Sequence, residues 1–406
     1  MHSRSETACH LENSLEISGP QPSLTGRGHG QFSLRDNEKP LKLDRIIYAE
    51  SGRPNFTNRA QMKCLIFKVN QLGDTIVFLP AFQELRRRFP SWSFYVFCTP
   101  VSEPLFEEIP RANVHVFSNE YFRRAWRHSY RFFDLLKLVR SIRADICLYS
   151  EDQGPVSFLL GCLARIPMRV GPSHRRLSWT LTHPVTVKTS ELVGVKDWRI
   201  AQKLAQSMGD NHTWVSAPPA PELFGLPLSR CENNKILIHP GASREYKKWS
   251  LERFLELANL LSKDFEVVWI EQRKSEEAKL LNGIKKLRGE SLFRLTQEIQ
   301  TCSLYIGNNS GPMHLASALG VPCIIFNGPS DPPWDPHWNS DLNVLLRDPS
   351  VLCQPCDSQA RPANICRNQS QPMQCMNVWT LERAYSIVVD SFRNRRNPTK
   401  KSLLPS

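Results

Sequence analysis

Apolar and polar positions along the chain fall into two successive rounds of short strands and longer helices. Up to Gln61 no periodicity is sustained. Ser, Gly, Pro, Asn and charged residues dominate there, and residues 1–61 read as a poorly ordered N-terminal extension, with Met62 a candidate alternative start. Lys63–Val69 (KCLIFKV) is an apolar run of strand type, followed by a Gly-containing turn and by helical spacing over Thr75–Phe89. Further strands are predicted at Ser93–Cys98, Val114–Phe117 and Asp145–Tyr149, with helical stretches between them. The Pro-rich passage Ala217–Pro227 reads as a linker, after which the alternation restarts. Strands are predicted at Lys235–His239, Phe265–Ile270, Leu304–Ile306 and Pro322–Phe326. Helices are predicted at Leu251–Ser262, Ser275–Leu287 and Pro312–Leu319. Alternation of this kind implies crossover units and parallel sheets. The expectation is an α/β chain of two doubly wound domains, 62–227 and 228–392, with a basic tail over 393–406. Ligands of such sheets sit beyond the carboxyl ends of the strands. Attention therefore goes to the loops after Val69, His239, Ile270, Ile306 and Phe326.

Composition narrows the partners. The 406 residues carry 52 Lys and Arg against 39 Asp and Glu, a net charge of +13, which favours anionic partners. No apolar run approaches the roughly 18 residues of a membrane span, Leu159–Ala164 being typical of the longest, and the first residues have no apolar signal-peptide stretch. The 12 cysteines are too thinly spread for a disulfide scaffold. Several (Cys64, Cys98, Cys147, Cys162, Cys323) lie inside apolar stretches, as buried reduced thiols do, and point to the cytoplasm. No motif of a nucleic-acid binder accompanies the charge, and nucleic acid is not an expected partner.

Three loops carry candidate chemistry. In Asn70-Gln71-Leu72-Gly73-Asp74-Thr75, Gly73 permits close backbone approach and Asp74 sits where a helix begins; it is a capping aspartate or a carboxylate able to take a proton from a bound hydroxyl. In His239-Pro240-Gly241-Ala242-Ser243, followed by Lys247-Lys248-Trp249-Ser250, a strand enters a Gly turn, then cations, then a capped helix. It is a solvated basic loop or a phosphate cradle. In Ile306-Gly307-Asn308-Asn309-Ser310-Gly311-Pro312-Met313-His314, a strand runs into a polar Gly turn and a helix with proline at its start, whose free N–H groups suit an anion. His314 is a structural histidine or a member of that anion site.

Together these segments resemble glycosyltransferase family 9, the lipopolysaccharide heptosyltransferases and their relatives. The resemblance is carried by GDTIVFLPAFQELRRRFP from Gly73, HPGASREYKKWSLERFLELANLL from His239 and GNNSGPMHLASALGVPCIIFNGPSDP from Gly307, and it spreads over residues 62–392. It implies a GT-B fold, two Rossmann-like domains facing across a cleft, the first acceptor-side and the second binding the nucleotide-sugar. It implies an inverting transferase that needs no metal and takes heptose or a related sugar from an ADP-heptose-like donor to a lipid-linked, lipopolysaccharide-core-type acceptor, with no other cofactor. No D-x-D sequence occurs, in keeping with that expectation. By the resemblance Asp74 is the catalytic base and Lys247 stabilises the departing diphosphate. Gly73, Gly241, Ser243, Asn309, Ser310, Gly311, Pro312, Met313 and His314 belong to the donor site, and Glu276 to the ribose. Many family members carry aspartate where Asn309 stands. That departure leaves open a different sugar nucleotide, or a catalytically silent protein that binds nucleotide-sugar or glycan.

Two features stand apart. Cys353, Cys356, Cys366 and Cys375, within the segment 353–375, are a candidate structural zinc set, a disulfide or free thiols. Tyr121–Arg143 is predicted as one basic amphipathic helix, with Phe122, Trp126, Phe133 and Leu136 on one side. It is either a domain helix with a solvated basic face or a peripheral contact with an anionic surface at the inner face of the cytoplasmic membrane.

Overall fold

The computed structural model describes residues 61–396, apart from 108–110, 230–232, 272–276, 358–362 and 364. The N-terminal extension, the tail beyond Arg396 and the ribose candidate Glu276 therefore lie outside the described residues.

Two six-stranded parallel sheets form the frame. The first runs β3-β2-β1-β4-β5-β6, with β1 Lys63–Lys68, β2 Ser93–Cys98, β3 Ala112–Val116, β4 Ile146–Tyr149, β5 Met168–Pro172 and β6 His183–Val185. The second runs β12-β11-β10-β7-β8-β9, with β7 Lys235–His239, β8 Glu266–Glu271, β9 Lys285–Arg288, β10 Leu304–Asn308, β11 Cys323–Phe326 and β12 Val344–Leu346. Central strands are apolar on both faces because helices cover both: β1 is buried at every position after Lys63. In both sheets the order reverses beside the first strand, β1 or β7, which opens a crevice at its carboxyl end.

Most predicted elements are present within a few residues. The predicted helix Ser275–Leu287 is corrected. Glu277–Leu280 is a single 3-10 turn, Gly283 takes a left-handed φ of 72°, and Lys285–Arg288 pairs with β8 as an edge strand. Its misleading signal is the three-residue spacing of Leu281, Ile284 and Leu287, all buried from non-helical backbone. The strands β5, β6 and β12 went unread because MRVGP ends in Gly and Pro, which read as a turn, and HPV and VLL are only three residues long. The basic helix is likewise corrected. The chain forms a helix Asn119–Arg123, a 3-10 turn Ala125–Arg127 and a second helix Ser129–Ile142. Its apolar stripe is core: Phe122, Leu135, Leu136, Val139 and Ile142 are buried, whereas Phe133 is 57% exposed and off that stripe. The C-terminal helix Leu381–Arg396 continues past the predicted boundary at residue 392.

The sheets meet through two helices. Leu72–Arg88, leaving β1, packs on Gly311–Ala318, leaving β10, and one apolar cluster runs continuously through both. Two glycines permit the approach: a Cβ on Gly73 would lie 2.7 Å from the His314 ring, and one on Gly311 would lie 3.1 Å from Leu72 Cβ. A second tie is His337, whose Nε2 accepts a 2.9 Å hydrogen bond from the Gly194 amide while its Nδ1 donates to the Asp335 carbonyl at 2.8 Å. Among the described residues no helix is long and apolar enough to cross a membrane.

A methyl group at Gly73 meets a buried ring, so Gly73→Ala is expected to cost about 1–3 kcal/mol of stability through overpacking. Gly311→Ala, with the looser approach, should cost less. Urea denaturation checks the ranking, and equal losses would contradict it.

Candidate active site

Asp74 is the third residue of the helix Leu72–Arg88, and Gln71 is its N-cap. The Asp74 carboxylate accepts a 2.9 Å hydrogen bond from the Gln71 amide, so the capping role and a site role coexist in one residue. It lines a cavity of about 560 Å³ together with Gly73, His239, Ser243, Lys247, Asn309, Ser310, Gly311, Pro312, His314 and Asp357. The three predicted loops therefore meet at one place. Gly241 is buried beside this cavity without lining it, and Met313 points wholly into the core.

The second and third loops are stitched together by Asn308, which sequence reasoning passed over. Its amide donates to the Pro240 carbonyl at 2.7 Å and its Oδ1 accepts from the Trp249 amide at 3.0 Å. Ser310 stands at the N-cap position of the helix Gly311–Ala318, but its Oγ caps no helix amide; it donates to the Asn308 carbonyl and pairs with His239 Nδ1, each at 3.1 Å. Burial pushes His239 down to about 4, with the Lys248 charge adding to it, and His314 down to about 3, with His337 adding. Both imidazoles are neutral at physiological pH, leaving the cationic role to Lys247, whose ammonium lies 2.6 Å from Asp357. Asn309 donates to Asn327 Oδ1 at 2.8 Å and to the Trp334 carbonyl at 3.0 Å. An ionised aspartate could make neither bond. The asparagine is thus explained locally, as the fastener of the Trp334 loop.

Behind Asp74 lies a second carboxylate, also missed. Lys68, the last residue of β1, is fully buried and lies 2.8 Å from both oxygens of Asp152, in the loop after β4. Asn70 and Ser150 also donate to Asp152, at 2.6 and 2.7 Å. Burial opposes the charge on Asp152, yet the Lys68 charge and hydrogen bonds hold its carboxyl below the ordinary range. Asp74 fares differently. Burial and then the negative charge of Asp152 outweigh Lys68, the Gln71 amide and Lys247, and Asp74 is pushed up to about 7. Asp74 and Asp152 also line a second cavity of about 510 Å³ with Asn119, Gln153, Ser157 and Arg175. Gln71, Asp74 and Trp334 are walls of both cavities. A carboxylate with raised proton affinity between two cavities can take a proton from a group in one as it reacts with a group in the other.

The cysteines offer no comparable geometry. Cys353, Cys356, Cys366 and Cys375 are free thiols, and among the described residues no group of three or more His, Cys, Asp or Glu is gathered so as to hold a metal. The zinc expectation is not supported. Local backbone and amide groups engage two of these sulfurs: Cys366 accepts from the Met373 amide at 3.3 Å, and the Asn368 amide lies 3.9 Å from Cys353.

The model of glycosyltransferase family 9 (heptosyltransferase) matches residues 132–364, more than half of the chain. The chain belongs to glycosyltransferase family 9. It is a heptosyltransferase-like glycosyltransferase, as its curated relatives are named. It is 24% identical over 288 residues to lipopolysaccharide heptosyltransferase 3 of Escherichia coli, covering 66% of this chain and 84% of that one. It is also 24% identical to lipooligosaccharide heptosyltransferase 2 of Campylobacter jejuni, covering 74% and 91%. Among solved structures, the family 9 fold recurs in E. coli ADP-heptose heptosyltransferase II, with a TM-score of 0.56, 21% identity, and coverage of 82% of this chain and 100% of that one. It recurs in the E. coli heptosyltransferase WaaC, solved with ADP, with a TM-score of 0.59, 15% identity, and coverage of 81% and 100%. The GT-B expectation holds.

The raised Asp74 has a cost. Its pKa in the fold, about 7, lies above the ordinary 3.8, so the cost of ionising it is absent at low pH, grows as pH rises from 3.8 towards 7, and is complete above 7. Asp74→Asn is therefore expected to unfold at a higher temperature than the wild type at pH 8, by about 2–4 °C per kcal/mol recovered. The gap should narrow at pH 5, where the carboxyl in the fold is protonated. Thermal scans at the two pH values check this, and a variant no more stable at pH 8 would contradict it.

Proposed function

We propose that this enzyme transfers heptose, or a closely related sugar, from an ADP-sugar to a lipopolysaccharide-core-type acceptor with inversion. The observation that carries the reading is the shared cavity. The carboxylate of Asp74, the ammonium of Lys247 and the start of the helix Gly311–Ala318 face the same space from different loops. Residues 62–227 form the acceptor side and 228–392 the donor side. Supporting the donor choice, two E. coli structures of WaaC, similar in fold, were solved with ADP and with ADP-2-deoxy-2-fluoro heptose. Supporting the acceptor choice, the curated relatives are named for lipopolysaccharide or lipooligosaccharide.

The chemistry follows from the placement. The acceptor hydroxyl oxygen forms the new bond to the anomeric carbon as its proton passes to an Asp74 oxygen. The bond from that carbon to the diphosphate oxygen breaks with its electron pair on the diphosphate. Negative charge grows on that leaving group, where Lys247 and the N–H groups behind Ser310 stabilise it without a metal being required. Attack from the Asp74 side, opposite the leaving group, inverts the centre. Asp74 at about 7 is matched to removing a proton near neutral pH. A lipid-linked acceptor brings the enzyme to the inner face of the cytoplasmic membrane, where Tyr130 and Phe133, 59% and 57% exposed on the helix Ser129–Ile142, offer a peripheral contact.

ADP release from ADP-heptose in the presence of a core acceptor, with EDTA added, tests the reading. Asp74→Asn should lower turnover by about 10²–10⁴-fold while ADP-sugar binding persists. Undiminished turnover would remove Asp74 from the mechanism. No ADP release by the wild type would favour a silent binding protein, and selective thermal stabilisation by a UDP-sugar would overturn the donor.

A further inference from the structure

The cysteine-bearing segment after β12 has no part in the transfer just described, yet it delivers one side chain to the donor cavity. Asp357 follows Cys356, and its carboxylate lies 2.6 Å from the Lys247 ammonium. The Asp357 backbone is held against the loop after β11, its amide donating to the Pro329 carbonyl at 3.0 Å. Its Oδ1 accepts from the Ala363 amide at 3.0 Å, and the Tyr246 hydroxyl lies 3.0 Å from Oδ2. Tyr246 is itself the neighbour of Lys247 in the 3-10 turn Glu245–Lys247, so the contact is fixed from both sides. The side chains of Lys247 and Asp357 are 20% and 15% exposed, and both line the donor cavity.

A nucleoside diphosphate seated at Lys247 meets an anion already bonded to that lysine. Both cannot hold the ammonium in the same geometry, and two anions drawn to one cation repel each other. We propose that Asp357 competes with the diphosphate for Lys247: it holds the ammonium as an internal counter-ion, gives it up to the incoming donor, and takes it back as the nucleoside diphosphate leaves. This rests on the reading of Lys247 as the diphosphate lysine. Asp357 is a positioning residue that acts through Lys247, and its competition weakens product binding as well as donor binding.

The test is calorimetric titration of the full chain with whichever of ADP, GDP and UDP binds the wild type most tightly. Asp357→Asn is expected to bind it about threefold to fivefold tighter, as loss of one partly exposed ion pair allows. In a Lys247→Ala background the same change should give no gain. An unchanged or weaker affinity in Asp357→Asn overturns the proposal. So does a gain that persists without Lys247, which would mean direct repulsion of the nucleotide. If Lys247→Ala alone binds as the wild type does, or no nucleotide binds, the reading of Lys247 fails and this proposal with it. Asp357→Ser, which keeps an acceptor for the Ala363 amide, replaces Asp357→Asn should the latter unfold at a lower temperature.

Discussion

Two helix starts in contact govern this molecule. The helices Leu72–Arg88 and Gly311–Ala318 belong to different sheets, and each lies close enough to the other that a single methyl group would disturb the fit. Every other relation at the cleft follows. Asp74 enters the cavity because its helix starts against the other, and Ser310 sits opposite because its turn feeds the partner helix. Residues of both starts line the same space, which therefore lies near the positive ends of both helix dipoles. A close contact between small residues thereby becomes an electrostatic property of the cleft.

The charges behind that contact are arranged at a cost. Lys68 and Asp152 are an ion pair taken out of water, repaid by hydrogen bonds from Asn70 and Ser150. Asp74 receives less. With one amide donor and a fixed negative neighbour it retains its proton more tightly than a free carboxyl. Two carboxylates a few residues' reach apart thus differ in character, Asp152 charged and saturated, Asp74 poised. The difference lies wholly in their partners.

The legible and illegible parts of the chain divide along the same line. Alternating apolar runs reveal the two sheets, and glycine beside a polar turn reveals the loops after β1, β7 and β10, because both are local signals. Lys68 reads as an ordinary strand end and Asp152 as one more acidic loop residue; neither has a signal until β1 and β4 pair side by side. Asp357 is more than a hundred residues from Lys247 and sits among cysteines that draw the eye to metals instead. Asn308 is overshadowed by Asn309, although it is Asn308 that joins the loops after β7 and β10. Leu281, Ile284 and Leu287 show the converse failure, a helical spacing produced by an edge strand and its approach.

Trp334 ties these arrangements together. It walls both cavities, and its carbonyl is fastened by Asn309. Occupants of the two cavities share this residue as a boundary, so the space granted to one is set partly by the other. Where a partition is common, whatever one tenant does to the affinity of the other is returned in equal measure. The order in which two substrates arrive can then differ in rate while the thermodynamic coupling between them stays the same in either order.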